Sequence, residues 1–216
     1  MKTFIEHELP ELEQINTDAG RFYKTPEGKV YPSVTTILGS FSKDGIERWR
    51  KAVGEEEADR IMQMSSARGT RIHNHCEEYL KTGSTNPSMF DLEAFNAIKP
   101  HFAHINNIHC CERRLYSDKL QAAGTADLIA EYDDILTLID WKTSGRSKCA
   151  SEIENYFMQC SAYSYFFWER TDIFVNDIKI IMASDDSNKA LVFNEKATTW
   201  LSKFMDLRKL HKLQFS

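Results

Sequence analysis

Two periodicities divide the chain. In the first half, apolar residues recur at helical spacing, with a stripe through Ile61, Met64, Ile72 and Leu80 over about Glu55 to Lys81. Ser33 after Pro32 predicts the N-cap of a short helix over Val34 to Leu38 that stops at Gly39, and another helix from about Gly45 carries Trp49. Asn86-Pro87 and Pro100 bracket a further helix with Phe90, Leu92, Phe95 and Ile98 facing the core. RFYKTPEGKVYP reads as a hairpin turned by Thr25-Pro26-Glu27-Gly28.

After Cys111 the pattern changes to short aliphatic and aromatic segments. RRLYS, TADLIAEY and ILTLIDW predict a β-meander divided by Gly124 and Asp133-Asp134. A helix over Glu152 to Trp168, the strands DIKIIMAS and KALVFN, and a helix over Glu195 to Leu213 complete the order. This is an α/β pattern with a mixed central sheet flanked by helices, plus an N-terminal hairpin and helical elaboration. We divide it into an extended, acidic lead-in (1–20) and a single domain (21–216). Within the domain, 21–108 is the hairpin and helical part and 109–216 the sheet core.

Composition narrows the class. Of 216 residues, 42% are apolar and 27% charged, which excludes fibrous and wholly disordered chains. No run approaches the roughly 18 apolar residues of a membrane span, and the start is acidic where a targeting segment would be basic. The expectation is a cytoplasmic protein of a bacterial or phage-infected cell, with no membrane partner. Five cysteines without a CxxC pair suggest neither a disulfide framework nor a zinc knuckle. A net charge of −5 argues against coating nucleic acid through bulk positive charge and leaves only local basic sites.

The meander carries the candidate chemistry. With Asp133-Asp134 as a two-residue loop, Tyr132 falls opposite Ile135 and, counting outward, Asp127 opposite Asp140. Like charges so opposed are destabilising unless something positive lies between them, and a divalent cation would serve. Alternation puts Lys142 on the face of Asp140 and Trp141 on the other. Two acids, a metal and a lysine suit phosphodiester hydrolysis by a bound water. Spacing alone fits equally well a surface hairpin with an ordinary Asp–Lys pair.

GTADLIAEYDDILTLIDWKTS resembles the hairpin of the PD-(D/E)XK nucleases, with Asp127 on one strand and Asp140-Trp141-Lys142 on the next. The proline of the PD element is absent, as in many RecB-like members. RGTRIHNHCEEYL resembles that branch's histidine helix, with His73 as the metal-facing residue, Glu77 one turn on and His75 a bystander. YFMQCSAY matches its Q-x-x-x-Y motif with Gln159 and Tyr163. Together with YPSVTTIL and IERWR, these motifs are most similar to the mitochondrial genome maintenance exonucleases and related phage exonucleases.

The resemblance implies a restriction-endonuclease-like core and magnesium- or manganese-dependent cutting of single-stranded DNA from free ends. It implies metal ligation by Asp127, Asp140, the Trp141 carbonyl and His73, with Lys142 as the catalytic lysine and Glu112 as a possible further acid. No cysteine follows Cys160, so the iron–sulfur cluster of some RecB-like nucleases is not expected.

A single strand needs basic groups for its backbone and aromatic faces for its bases. The candidates are Ser33, Thr35, Trp49, Arg50, Arg68, Arg71, Arg146 and Lys148. Phe22, Tyr23 and Tyr31 could stack on bases, although core packing is the commoner fate of such rings. An endonuclease, a duplex-end recombination exonuclease and a non-cleaving nucleic-acid-binding module are the alternatives.

Overall fold

The computed structural model describes residues 2–214, so Met1 and positions 215–216 of the expected division lie outside it. The expected hairpin forms from β2 (Gly20–Lys24) and β3 (Val30–Pro32), and Gly28 takes the positive φ of 83° that its turn requires. Ahead of them β1 (Glu13–Thr17) pairs antiparallel with β2, making a three-stranded sheet within what reads as lead-in. Local pattern gave no sign of it, since EQINT has one apolar residue and takes its place from pairing. Tyr23 is fully buried and Tyr31 nearly so, the core fate expected of such rings.

Four helices follow: α1 (Val34–Ser40), α2 (Lys43–Val53), α3 (Glu55–Thr82) and α4 (Leu92–Ile98). Ser33 caps α1, its Oγ accepting the Thr36 amide at 2.9 Å. Gly83 ends α3 in a left-handed conformation, φ 80°. Phe90, expected on the core stripe of α4, instead precedes the helix and is 81% exposed.

The larger sheet has the order β4 (Ile105–Ser117), β5 (Ala122–Tyr132), β6 (Ile135–Ser144), β7 (Asp177–Ser184), β8 (Leu191–Lys196). All neighbours are antiparallel except β6 and β7, which are parallel and joined through α5 (Glu154–Thr171); α6 (Ala197–Gln214) closes the chain. The fold is thus a mixed α/β arrangement with a five-stranded mixed sheet flanked by helices. β4 begins earlier than the sequence pattern shows because two register shifts, between Asn106 and Cys110, break its alternation. Residues before β1 run beside this edge strand, with Ile5 N donating to Ile108 O at 2.7 Å and Ile108 N to Thr3 O at 2.8 Å.

Side-chain alternation feeds two cores. One face of the sheet packs with α1, α5 and α6 around Phe157, Phe166 and Phe204. The opposite face packs with α3 and α4 around Ile72, Phe95 and Trp141. Burying rings of this size contributes roughly 1.5–3 kcal/mol each, so α3 and α5 are clamped to opposite faces of β5 and β6.

Candidate active site

The β5–β6 hairpin turns on Asp133 and Asp134, both with positive φ (50° and 63°), as a two-residue loop matching the twist of its strands demands. Tyr132 pairs with Ile135, and the ladder continues in register to Leu128 opposite Ile139. There it stops. At the next position Asp127 Oδ2 accepts the Trp141 amide at 2.9 Å, a side chain taking the place of a backbone partner. Asp127 and Asp140 are 6% and 1% exposed. Lys142 Nζ lies 2.5 Å from Asp140 Oδ2. That ammonium is the one partner of this buried oxygen among the described residues. Trp141 turns to the other face, edge-on to Phe102.

β4 and α3 bring two more groups. Glu112 sits between the pairs Cys111–Leu128 and Arg113–Ala126, across from Asp127, and its φ of 48° is unusual for a non-glycine in a ladder. Strain of this kind concentrates at functional sites. His73 donates from Nε2 to the Trp141 carbonyl at 2.9 Å, while Nδ1 is 3.2 Å from Glu112 Oε1 and 3.5 Å from Asp127 Oδ2. Carbonyl and carboxylate oxygens only accept, so both ring nitrogens carry protons here.

The electrostatics follow from packing acids and bases out of water. Burial alone would lower the His73 pKa, but Asp127 and Glu112 outweigh it and hold the ring at about 9. Burial pushes Asp140 up to about 6 against the pull of Lys142, and it also raises Asp127. Lys142 is raised, since Asp140 and Asp127 overcome its desolvation. Four perturbed groups gathered in one cleft are a mark of functional sites.

α5 closes the back of the site. Gln159 Nε2 donates to the Tyr163 hydroxyl at 3.2 Å and reaches Asp140 Oδ1 at 3.5 Å. A Cβ on Gly124 would come 2.4 Å from the Tyr163 ring, so glycine is required where α5 crosses β5. Two short motifs far apart in sequence therefore meet as one contact.

The donor set suits a hard divalent cation. Ligand atoms of His73, Glu112 and Asp127 all lie within 4.8 Å of one another, and oxygen-rich ligation with one imidazole fits magnesium or manganese. Asp140 stands beside that trio and is held by Lys142. Glu77 turns to Lys81 at 2.6 Å, and His75 bonds Thr85.

Known proteins give a distant likeness. The chain is 25% identical over 131 residues to mitochondrial genome maintenance exonuclease 1 of Homo sapiens, and 28% identical over the same length to that of Mus musculus. Those matches cover 55% and 54% of this chain, but the chain spans only 38% of the length of either relative. No family model matches. The crystal structure of SSO0001 superposes with a TM-score of 0.42 at 15% identity, covering 78% of this chain and 70% of that one, too slight a likeness to argue from.

A cleft of about 480 Å³ opens onto His73, Glu112, Asp127 and Lys142. Ser33 and Thr35 line it, with Ser33 already engaged as a cap. Most of the expected strand-binding cations are committed elsewhere. Arg50 pairs with Glu55 and Asp59, Arg68 with Asp185, Arg71 with Asp91, and Arg146 with Glu152. Lys148 shares the Tyr156 ring with Lys142, at 5.7 and 5.0 Å, and Trp49 is half-buried on α2. Sequence reasoning missed Arg21, Arg114 and Asn74, which also line the cleft. Arg114 was findable, two residues beyond Glu112 and so on the same strand face. Arg21 was not, because nothing local places β2 beside β5.

No helix among the described residues is long and apolar enough to cross a membrane.

Proposed function

We propose that this chain is a metal-dependent nuclease of the PD-(D/E)XK type, RecB-like in its helix motifs, which hydrolyses single-stranded DNA from a free end. The observation that carries the reading is the convergence of His73, Glu112 and Asp127 beside the Asp140–Lys142 pair. Distant similarity to a genome maintenance exonuclease supports nuclease chemistry. His73, Glu112 and Asp127 would hold the ion, and Asp140, held by Lys142, would join them from beside the trio. When bound, magnesium or manganese supplies a Lewis acid and lowers the pKa of a water.

The chain's own groups do the rest. Lys142 places an ammonium where negative charge would build on the phosphoryl oxygens. Gln159 and Tyr163 fix Asp140 from behind. His73 gives up one ring proton when it ligates and keeps the other, so loading the site releases a proton.

Digestion of end-labelled linear single strands, closed single-stranded circles and blunt duplex with magnesium tests this. Linear strands should shorten from an end while circles survive and duplex is cut poorly. Cleavage of circles would make the enzyme an endonuclease, and binding without cleavage would leave a binding module.

A further inference from the structure

An acid-lined cleft poses a problem for a strand that carries a negative charge at every phosphate. Glu112, Asp127 and Asp140 repel it, so cations other than Lys142 must face the strand near them. The arginines expected to do this are spent on carboxylates: Arg68 on Asp185, Arg71 on Asp91, Arg146 on Glu152. Two arginines in the catalytic cleft differ. Among the described residues Arg21 and Arg114 have no carboxylate partner, although they line the same cavity as Glu112 and Asp127.

The fold holds both in place without using up their charge. The backbone of Arg21 is pinned on both sides, its amide donating to Thr36 Oγ1 at 2.9 Å and its carbonyl accepting from Ser33 N at 2.8 Å. Its side chain remains exposed. Arg114 donates one nitrogen, Nη1, to the Leu12 carbonyl at 2.6 Å, which orients the fork and leaves its other N–H groups. The three-stranded sheet docks here through Tyr23, whose hydroxyl bonds Thr125 Oγ1 at 3.1 Å. β2 and β4 thereby contribute one arginine each to one wall.

We propose that Arg21 and Arg114 form a phosphate clamp for the sugar–phosphate backbone of a single strand, holding the phosphate that neighbours the one under attack. Planar guanidinium forks match phosphate oxygens two at a time, which a lysine cannot reproduce. The clamp rests on the nuclease reading above. It moves the main strand contact from α3 to the wall built by β2 and β4.

The test is fluorescence anisotropy of a labelled oligothymidylate with the full chain in EDTA, where no cutting occurs, over a range of salt. Arg21→Ala and Arg114→Ala should each weaken binding about tenfold. Each should also flatten the slope of log affinity against log salt by about 0.7, the single-strand value per phosphate contact. Arg21→Lys should keep the slope and lose part of the affinity. Arg68→Ala should match wild type. With magnesium added, the two alanine variants should raise KM and leave kcat, as loss of uniform binding does. Because the Arg21 side chain is exposed, Arg21→Ala carries the test if Arg114→Ala fails to fold. Folded variants with wild-type affinity and slope would overturn the clamp and leave the nuclease reading standing. If wild type itself did not bind the strand, the nuclease reading would fall and the clamp with it.

Discussion

The long helix α3 has a cleft on each side, and the larger is the less interesting. Gly69, Thr70, His73 and Asn74 face the candidate active-site cleft of about 480 Å³, while Ile61, Met64, Arg68 and Arg71 face another of about 1000 Å³ reaching the β7–β8 turn. In the larger cleft the arginines are settled: Arg60, Arg68 and Arg71 each hold an acid. In the smaller one acids crowd together, His73 is held as a cation by two carboxylates, and Arg21 and Arg114 have no carboxylate partner among the described residues. Volume follows from how helices pack, whereas unsettled charge must be kept against the tendency of surfaces to neutralise themselves. That contrast supports the smaller cleft as the proposed ligand site.

The largest test of that contrast is to remove the cation beside the crowded acids. Lys142→Ala should lower cleavage by roughly 10²–10⁴-fold, the range for a group acting on transferred charge or protons. Chelation of the divalent ion should abolish cleavage altogether. Folding at pH 6 should change little, because Asp140, already pushed up to about 6, takes a proton when its partner leaves. A folded Lys142→Ala protein that cuts at the wild-type rate would place the chemistry elsewhere.

The next effect lies at the back wall of the smaller cleft. Gly124→Ala forces a Cβ to 2.4 Å from the Tyr163 ring. Overpacking of this kind costs about 1–3 kcal/mol, and for a chain of this size each kcal/mol lowers Tm by about 2–4 °C. Displacing Tyr163 also withdraws the partner of Gln159, so activity should fall with stability. Tyr163→Phe in the Gly124→Ala background would not relieve the clash, because ring carbons make the closest contact. A Tm unchanged within error would mean that α5 sits further from β5 than described.

In the larger cleft the expected effects are on stability alone. Arg71 donates to Asp91 through Nε and Nη2 at 2.9–3.1 Å, and Asp91 is 1% exposed. Arg71→Ala strands that carboxylate with only Ser88, at a cost of about 1–3 kcal/mol. The Arg71 guanidinium holds the Asp91 carboxyl below its usual value near 3.8. A depressed carboxyl stabilises the fold above its unfolded pKa and stops doing so as it is protonated. The gap between wild type and Arg71→Ala should thus be full above pH 4 and close as pH falls below it, while strand affinity stays the same. Denaturant melts across pH 3–7 measure both limits.

Much of this was legible in the sequence where local pattern and tertiary structure agree. The Asp133-Asp134 turn sets the β5–β6 register by counting, and alternation then separates Trp141 from Lys142. Three features were hidden. The ladder ends at Leu128–Ile139 because Asp127 captures a backbone amide, which no pairing rule foresees. β1 exists through pairing with β2, and its own residues do not announce a strand. The arginines of α3 looked like strand contacts because spacing places a residue on a face without showing which acid waits there. Asp91 and Asp185, 20 and 117 positions downstream, settle those charges.

The smallest expected effect is the sharpest discriminator between the two clefts. Phe90, on the rim of the larger one, is 81% exposed, and an aromatic so placed is a natural stacking platform if a strand passes there. It packs on no other ring in the described structure, so Phe90→Ala should move stability by less than about 0.5 kcal/mol. If the charge contrast identifies the working cleft, anisotropy and cleavage of single strands should be unchanged as well. If stacking on Phe90 contributes about 1–3 kcal/mol, as base–aromatic contacts do, affinity would fall roughly 5- to 150-fold while the fold stayed intact. That outcome would extend the strand's path around α3 and require the larger cleft to bind through aromatic faces instead of free charge.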